Sequence, residues 1–214
     1  SLDTVLIEEV VKKVEPGGVL IVSEQHGVEA HYDRQKKALQ ALAATGRCTV
    51  SVGLEFLSWI YQDSIFDFRS GKISEADFLK KVDWPGNPFA DYREQALFPR
   101  TTGGELLGLN APRALTTAAK SRGLSGLTPD LQALVPPAFS EGHTLYRERF
   151  DNVMAPHVPS TSLDGYFLAQ SLWDDSMAWR ASEFVKANPS HCLVVIVGDF
   201  HASWGGGLPD RLRA

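Results

Sequence analysis

The 214-residue chain has no apolar stretch near the roughly 20 residues that a membrane-spanning helix needs. It has no basic run either, and 21 Lys and Arg against 26 Asp and Glu leave a net charge of -5, which argues against a nucleic-acid backbone as partner. G-x-S-x-G is absent around Ser58, Ser160 and Ser203, which disfavours a serine-hydrolase elbow. Internal repeats and low-complexity segments are lacking. No signal peptide precedes Ser1, and the Ser1-Leu2-Asp3 start is compatible with a chain from which a leader has been removed. Only two cysteines occur, Cys48 and Cys192, each just before a β-like run. They read as buried thiols, since a disulfide would need two strand starts to be neighbours, which spacing along the chain does not show.

A hydrophobic content of 43% is ordinary for a soluble globule, and the length suits one α/β domain spanning residues 1–214. Strands are expected at 19–23, 49–54, 105–110 and 192–198, each apolar and uninterrupted by charge. Helices are expected from an Asp3-Thr4 cap to about Val14, from His31 to about Thr45, from Pro112 to about Arg122, and from Leu163 to about Ala187. Alternation of this kind predicts a mostly parallel sheet flanked by helices. The insertions at about 60–102 and 123–162 are rich in aromatics and prolines and are expected to form a small helical cap subdomain.

In parallel α/β sheets ligands bind beyond the carboxyl ends of the strands. Here those ends carry Glu24 and His26, then Glu55, then Asn110, then Asp199 and His201. His26, Glu55 and His201 are the residue types that a divalent metal recruits. Without a metal, Glu24, His26, Glu55 and His201 could act as acids and bases in hydrolysis. His31 and Gln35 on the second helix, and Gln170 and Asp174 on the long one, place polar groups on packing faces, where they would support the strand-end cluster from behind, as would Asn110. The "GGG" at 205–207 has no following Lys and reads as a flexible loop rather than a phosphate loop.

The stretches "VLIVSEQHGVEAHYDRQ", "VSVGLEFL", "LLGLNAPR", "FLAQSLWDDSMA" and "VVIVGDFHASWGGGLPDRL" resemble, in order, the motifs of the ChaN-like haem-binding lipoprotein family of the Tiki superfamily. The resemblance runs from about residue 19 to the C-terminus. It implies haem as cofactor, a role in bacterial haem or iron uptake, a possible homodimer with haem between two subunits, and a cell-envelope location, periplasmic or outer-membrane-anchored through a lipid ahead of Ser1. It also implies a tyrosine as iron ligand with a histidine nearby; Tyr146, close to His143, is the first choice and Tyr92 the second. No C-x-x-C-H attachment motif occurs. Elsewhere in the superfamily, metal-dependent proteases carry G-x-x-H and a glutamate at these strand ends. "GDFH" at 198–201 and Glu55 match, whereas "SEQH" at 23–26 has Ser23 in the glycine position, where serine resists positive φ and implies an altered first turn. The alternative reading is therefore a metal-dependent hydrolase.

Overall fold

The computed structural model describes residues 2–203 and 206–214. Gly205 of the triple glycine thus lies outside the described residues. In chain order the elements are α1 (Leu2–Val11), β1 (Val19–Glu24), α2 (Glu29–Ala44), β2 (Thr49–Ser58), α3 (Gln62–Arg69), α4 (Glu75–Lys81), α5 (Arg93–Leu97) and α6 (Pro99–Thr102). There follow β3 (Leu106–Asn110), α7 (Arg113–Arg122), α8 (Pro129–Gln132), α9 (Thr144–Met154), α10 (Leu163–Ala187), β4 (His191–Gly198), α11 (Asp199–Ala202) and α12 (Leu208–Arg213). Asp3 and Thr4, expected to cap α1, lie inside it.

The strands pair in parallel in the order β1-β4-β2-β3, which puts β4, the last strand in the chain, at the centre beside β1 and β2. Successive side chains of a strand face opposite ways. Accordingly Cys192, Val194 and Ile196 of β4 join the cluster that contains Leu39 and Leu42 of α2, while Leu193, Val195 and Val197 join Met177, Ala178 and Ala181 of α10. Each branched side chain buried in this way contributes about 1.5–3 kcal/mol relative to an exposed one. Residues of the first insertion, Ile65, Phe68, Phe78, Phe89 and Tyr92, pack in that first cluster with the sheet. Residues of the second insertion instead form smaller clusters against the N-terminal half of α10.

Two features depart from the sequence reading. β2 does not stop at Leu54 but continues to Ser58. Leu54 pairs with Gly108 and Ser58 with Asn110, so β2 uses four steps where β3 uses two, a bulge that carries Glu55, Phe56 and Leu57. Gly108 permits this, because a Cβ there would collide with the Ser58 carbonyl oxygen.

The second departure corrects the reading of the cysteines as thiols: Cys48 and Cys192 are joined in a disulfide across a sequence separation of 144. Their strands are adjacent, with Val50 opposite Cys192, and it is this long-range pairing, invisible locally, that brings the sulfurs together. Closing so long a loop restricts the unfolded chain more than the folded one. Replacing both cysteines by serine is expected to lower unfolding free energy by about 2–4 kcal/mol, measured as a reduced urea midpoint with an unchanged far-ultraviolet spectrum. An unchanged midpoint would show that the cross-link is not stabilising.

Candidate functional site at the carboxyl end of the sheet

β1 and β4 lie side by side and end in two arrangements of the same composition. After β1, His26 Nδ1 sits 2.8 Å from Glu24 Oε1. The same oxygen accepts from the Tyr92 hydroxyl at 2.5 Å, and Glu24 Oε2 accepts from the Gln35 amide. After β4, His201 Nδ1 donates to Asp174 Oδ1 at 2.6 Å, and Asp174 Oδ2 accepts from the Tyr146 hydroxyl at 2.5 Å. Gln170 Nε2 lies 3.0 Å from both the Tyr146 hydroxyl and His201 Nδ1. Because the Nδ1 proton goes to the carboxylate, the amide serves the phenol. Each end therefore holds a histidine, a carboxylate, a tyrosine and a glutamine. Glu24 is 1% exposed and Asp174 0%, and a carboxylate so buried is tolerable only when several donors surround it.

Glu55, lifted by the bulge of β2, stands by both histidines. Its Oε1 lies 3.3 Å from His201 Nε2, and its Oε2 accepts from the Gly198 N–H at 2.5 Å. A methyl group at Gly198 would come to 3.3 Å of Glu55 Oε2 and 3.5 Å of His26 Nε2. The backbone there is ordinary, with φ -61°, so glycine in "GDFH" serves close approach of these groups, not a positive φ. That removes the conformational objection to Ser23, which lies within the regular strand β1.

The charges follow from this geometry. Burial favours a neutral His201, but Asp174 and then Glu55 more than offset it, and the pKa is pushed up to about 10. Burial likewise opposes the Glu55 carboxylate, yet the contacts with His201, the Gly198 N–H and His26 hold it below the usual carboxylate range. The hydrogen bond to Glu24 raises the pKa of His26, which remains partly solvated. The result is a buried imidazolium bridging two carboxylates.

The other expected residues separate into groups. Gln35, Gln170 and Asp174 join the network directly. Asn110 instead binds backbone: its Nδ2 donates to the Glu55 carbonyl at 2.8 Å and its Oδ1 accepts from Ala111 N–H. His31 accepts from Gln25 N–H, holding the turn after β1. His143 is the N-cap of α9, accepting from Tyr146 N–H at 3.2 Å. Sequence reasoning missed Tyr32, whose hydroxyl accepts from Gly27 N–H, and Gln95, which donates to Gln35; neither carries a local signal that separates it from a packing residue.

Tyr92 and Tyr146 are 0% and 1% exposed. For both, burial together with a carboxylate partner raises the pKa and favours the neutral phenol. Ligation of iron by either would require its hydroxyl to leave that carboxylate. Among the described residues no group of three or more His, Cys, Asp and Glu stands at metal-holding spacing. His26 and His201 are instead held through Nδ1 by Glu24 and Asp174, and Glu55 stands as an ion-pair partner 3.3 Å from His201 Nε2.

Beside Glu55 the strand ends open into a cleft. Phe56, Tyr61, Pro85 and Trp173 form its walls, and Arg113 stands at its rim. Trp173 also meets the His201 ring edge-on, with centroids 6.3 Å apart, which joins the cleft to the buried network.

A parallel α/β sheet whose carboxyl edge gathers two carboxylate-held histidines and a glutamate beside an aromatic cleft belongs to the class of α/β proteins that place a ligand site beyond the ends of their strands. The chain belongs to the family described as haem-binding uptake, Tiki superfamily, ChaN, whose model matches residues 10–212. Among solved structures it is similar to one described as cofacial heme binding to ChaN of Campylobacter jejuni, with 19% identity and a TM-score of 0.68, covering 97% of this chain and 79% of that one. This likeness supports the fold. No curated protein matches the chain.

The protonated His201 gives a stability signature. Its pKa rises from 6.5 to about 10 on folding, so its stabilisation is complete below pH 6.5 and is lost as pH climbs through about 10. Urea midpoints measured from pH 6 to 10.5 are expected to fall along this interval in the wild type and to fall less steeply in Asp174→Asn, which removes the main charge holding the proton. Parallel slopes in the two proteins would contradict the buried imidazolium.

Proposed function

We propose that this protein binds haem and takes part in bacterial haem or iron uptake in the cell envelope. The observation that carries the reading is membership of the haem-binding uptake family over nearly the whole chain. Two features of the chain agree with it. The Cys48–Cys192 disulfide suits an oxidising compartment such as the periplasm. The cleft at the sheet edge carries the aromatic side chains Phe56, Tyr61 and Trp173, of the kind on which a planar ligand packs. The resemblance further supports tyrosine ligation of the iron, a homodimer that encloses the haem, and a lipid anchor; the relative described as binding heme cofacially is in keeping with paired subunits.

Haemin titrated into the purified protein, with size-exclusion chromatography before and after, is expected to saturate at a fixed stoichiometry and to shift the elution toward a dimer. Linear, unsaturable uptake would overturn the haem reading, and saturation without a change in size would overturn the dimer.

A second reading rests on the convergence of His26 and His201 on Glu55, with each Nδ1 already bound to a carboxylate, as metal-ligating histidines require. On this reading His26, Glu55 and His201 would hold a divalent ion supporting hydrolysis, with Glu24 and Asp174 orienting the rings. The ion would take the place of the His201–Glu55 ion pair. Calorimetric titration with Zn²⁺ or Mn²⁺ decides it: stoichiometric binding lost in His201→Ala favours the metal, and no heat of binding rejects it.

A further inference from the structure

The two edges of the sheet are finished differently. At β3 the Gln62 side chain stands in for a further strand: its Nε2 donates to the Leu106 carbonyl at 3.0 Å and its Oε1 accepts from Gly108 N–H at 2.9 Å. An edge capped in this way is closed to another chain. β1 pairs on one side with β4, and its other side borders an apolar groove of about 440 Å³. Leu6 and Val10 of α1 form one wall of the groove, and Leu20 and Val22 of β1 the other. The sequence "VLIV" at 19–22 brings no charge, proline or bulge to this edge, the devices that blunt an exposed strand.

α1 carries a row of side chains along the same groove. Ile7, Val11 and Val14 face the core. Asp3, Leu6 and Val10 line the groove, and Lys13 continues their row at helical spacing, with intervals of three, four and three. Lys12 N–H bonds the Glu8 carbonyl at 3.2 Å and Lys13 N–H that of Val10 at 3.0 Å, so the chain keeps turning through Lys13. Leu6 and Val10 are 56% and 48% exposed, and Asp3 meets only the Arg34 guanidinium at 3.8 Å, an exposed pair that contributes little. The row reads acid, apolar, apolar, base. Laid antiparallel on a second copy, Asp3 meets Lys13 of the partner subunit and Leu6 meets Val10 of the partner subunit, and both contacts recur across the two-fold axis. An anionic lipid surface is a poorer match, because α1 holds Asp3, Glu8 and Glu9 and no basic residue within Leu2–Val11.

We infer that this flank of α1, with the groove beside it, is a two-fold interface between copies of the chain, the helices lying antiparallel and covering the open edge of β1. None of these residues lines the strand-end cleft, so the pairing needs no haem and is separate from a dimer that encloses one. One helix flank and one strand edge make a small contact, and the association is accordingly weak, with a Kd on the order of 10–100 µM.

Sedimentation equilibrium of the haem-free protein between about 1 and 500 µM tests it. The wild type is expected to pass reversibly from monomer to dimer. Leu6→Glu, which would bury a charge at the centre of the contact, is expected to stay monomeric with an unchanged urea midpoint. Asp3→Lys and Lys13→Glu are each expected to weaken self-association about tenfold, because like charges then face each other twice. An equimolar mixture of these two variants is expected to regain the wild-type affinity, since one subunit offers only cations and the other only anions at the ends of the row. Damage to either fold would not produce that recovery. A wild type that stays monomeric over the whole range, or a Leu6→Glu variant that dimerises as well as the wild type, would overturn the interface. Weakening in the single variants without recovery in the mixture would overturn the antiparallel register. Dimerisation that appears only after haemin is added would assign the pairing to the haem and reject this contact.

Discussion

A proton buried on His201 between Asp174 and Glu55 governs how the carboxyl end of this sheet is put together. Asp174 comes from the long helix, Glu55 from a bulged strand and His201 from the turn after the central strand, so three elements distant in sequence are held at one point by charge. Removing any one member would strand a charge in a poorly solvated place, which costs more than the contact itself contributes. The packing around it follows suit. Gly198 has no side chain because two polar groups crowd it, and Tyr146 is withdrawn from solvent because Asp174 has a second oxygen to satisfy.

The end of β1 repeats the same chemistry with a different supply of parts. There the carboxylate, Glu24, belongs to the strand and the supporting glutamine comes from α2, whereas after β4 both the carboxylate and the glutamine come from α10. The environments nevertheless diverge. His26 keeps contact with solvent and packs on Phe56, while His201 is enclosed. An enclosed ring held charged at neutral pH suits a structural keystone; a partly open one beside an aromatic cleft can respond to what arrives there.

Much of this was legible from the chain. The long helix begins and ends where its apolar spacing predicts, and the polar pair Gln170 and Asp174 in its buried stripe marks the network, because buried polar groups must find partners. The strand-end acids and imidazoles were likewise visible from their positions after apolar runs. What stayed hidden depends on long-range placement. The bulge in β2 arises from its fit against Gly108 of β3, and no property of "VSVGLEFLSW" announces it. The disulfide depends on β4 inserting between β1 and β2. Tyr146, with His143 three residues before it, and Tyr92 stand out as ligands through the family resemblance; only the fold reveals that carboxylates already hold them.

The disulfide sits at the amino ends of β2 and β4, and the Glu55–Gly198 and Glu55–His201 contacts join the same two strands at their carboxyl ends. The central pair is thus riveted at both extremities, whereas β1 and β3 are each attached along one side. Opening of the sheet must begin at its flanks, so slow amide exchange should concentrate in β2 and β4. A floor of this rigidity lets those walls of the cleft that come from the segments after β2 and β3 and from α10 adjust to a guest, while Phe56 stays fixed on the strand.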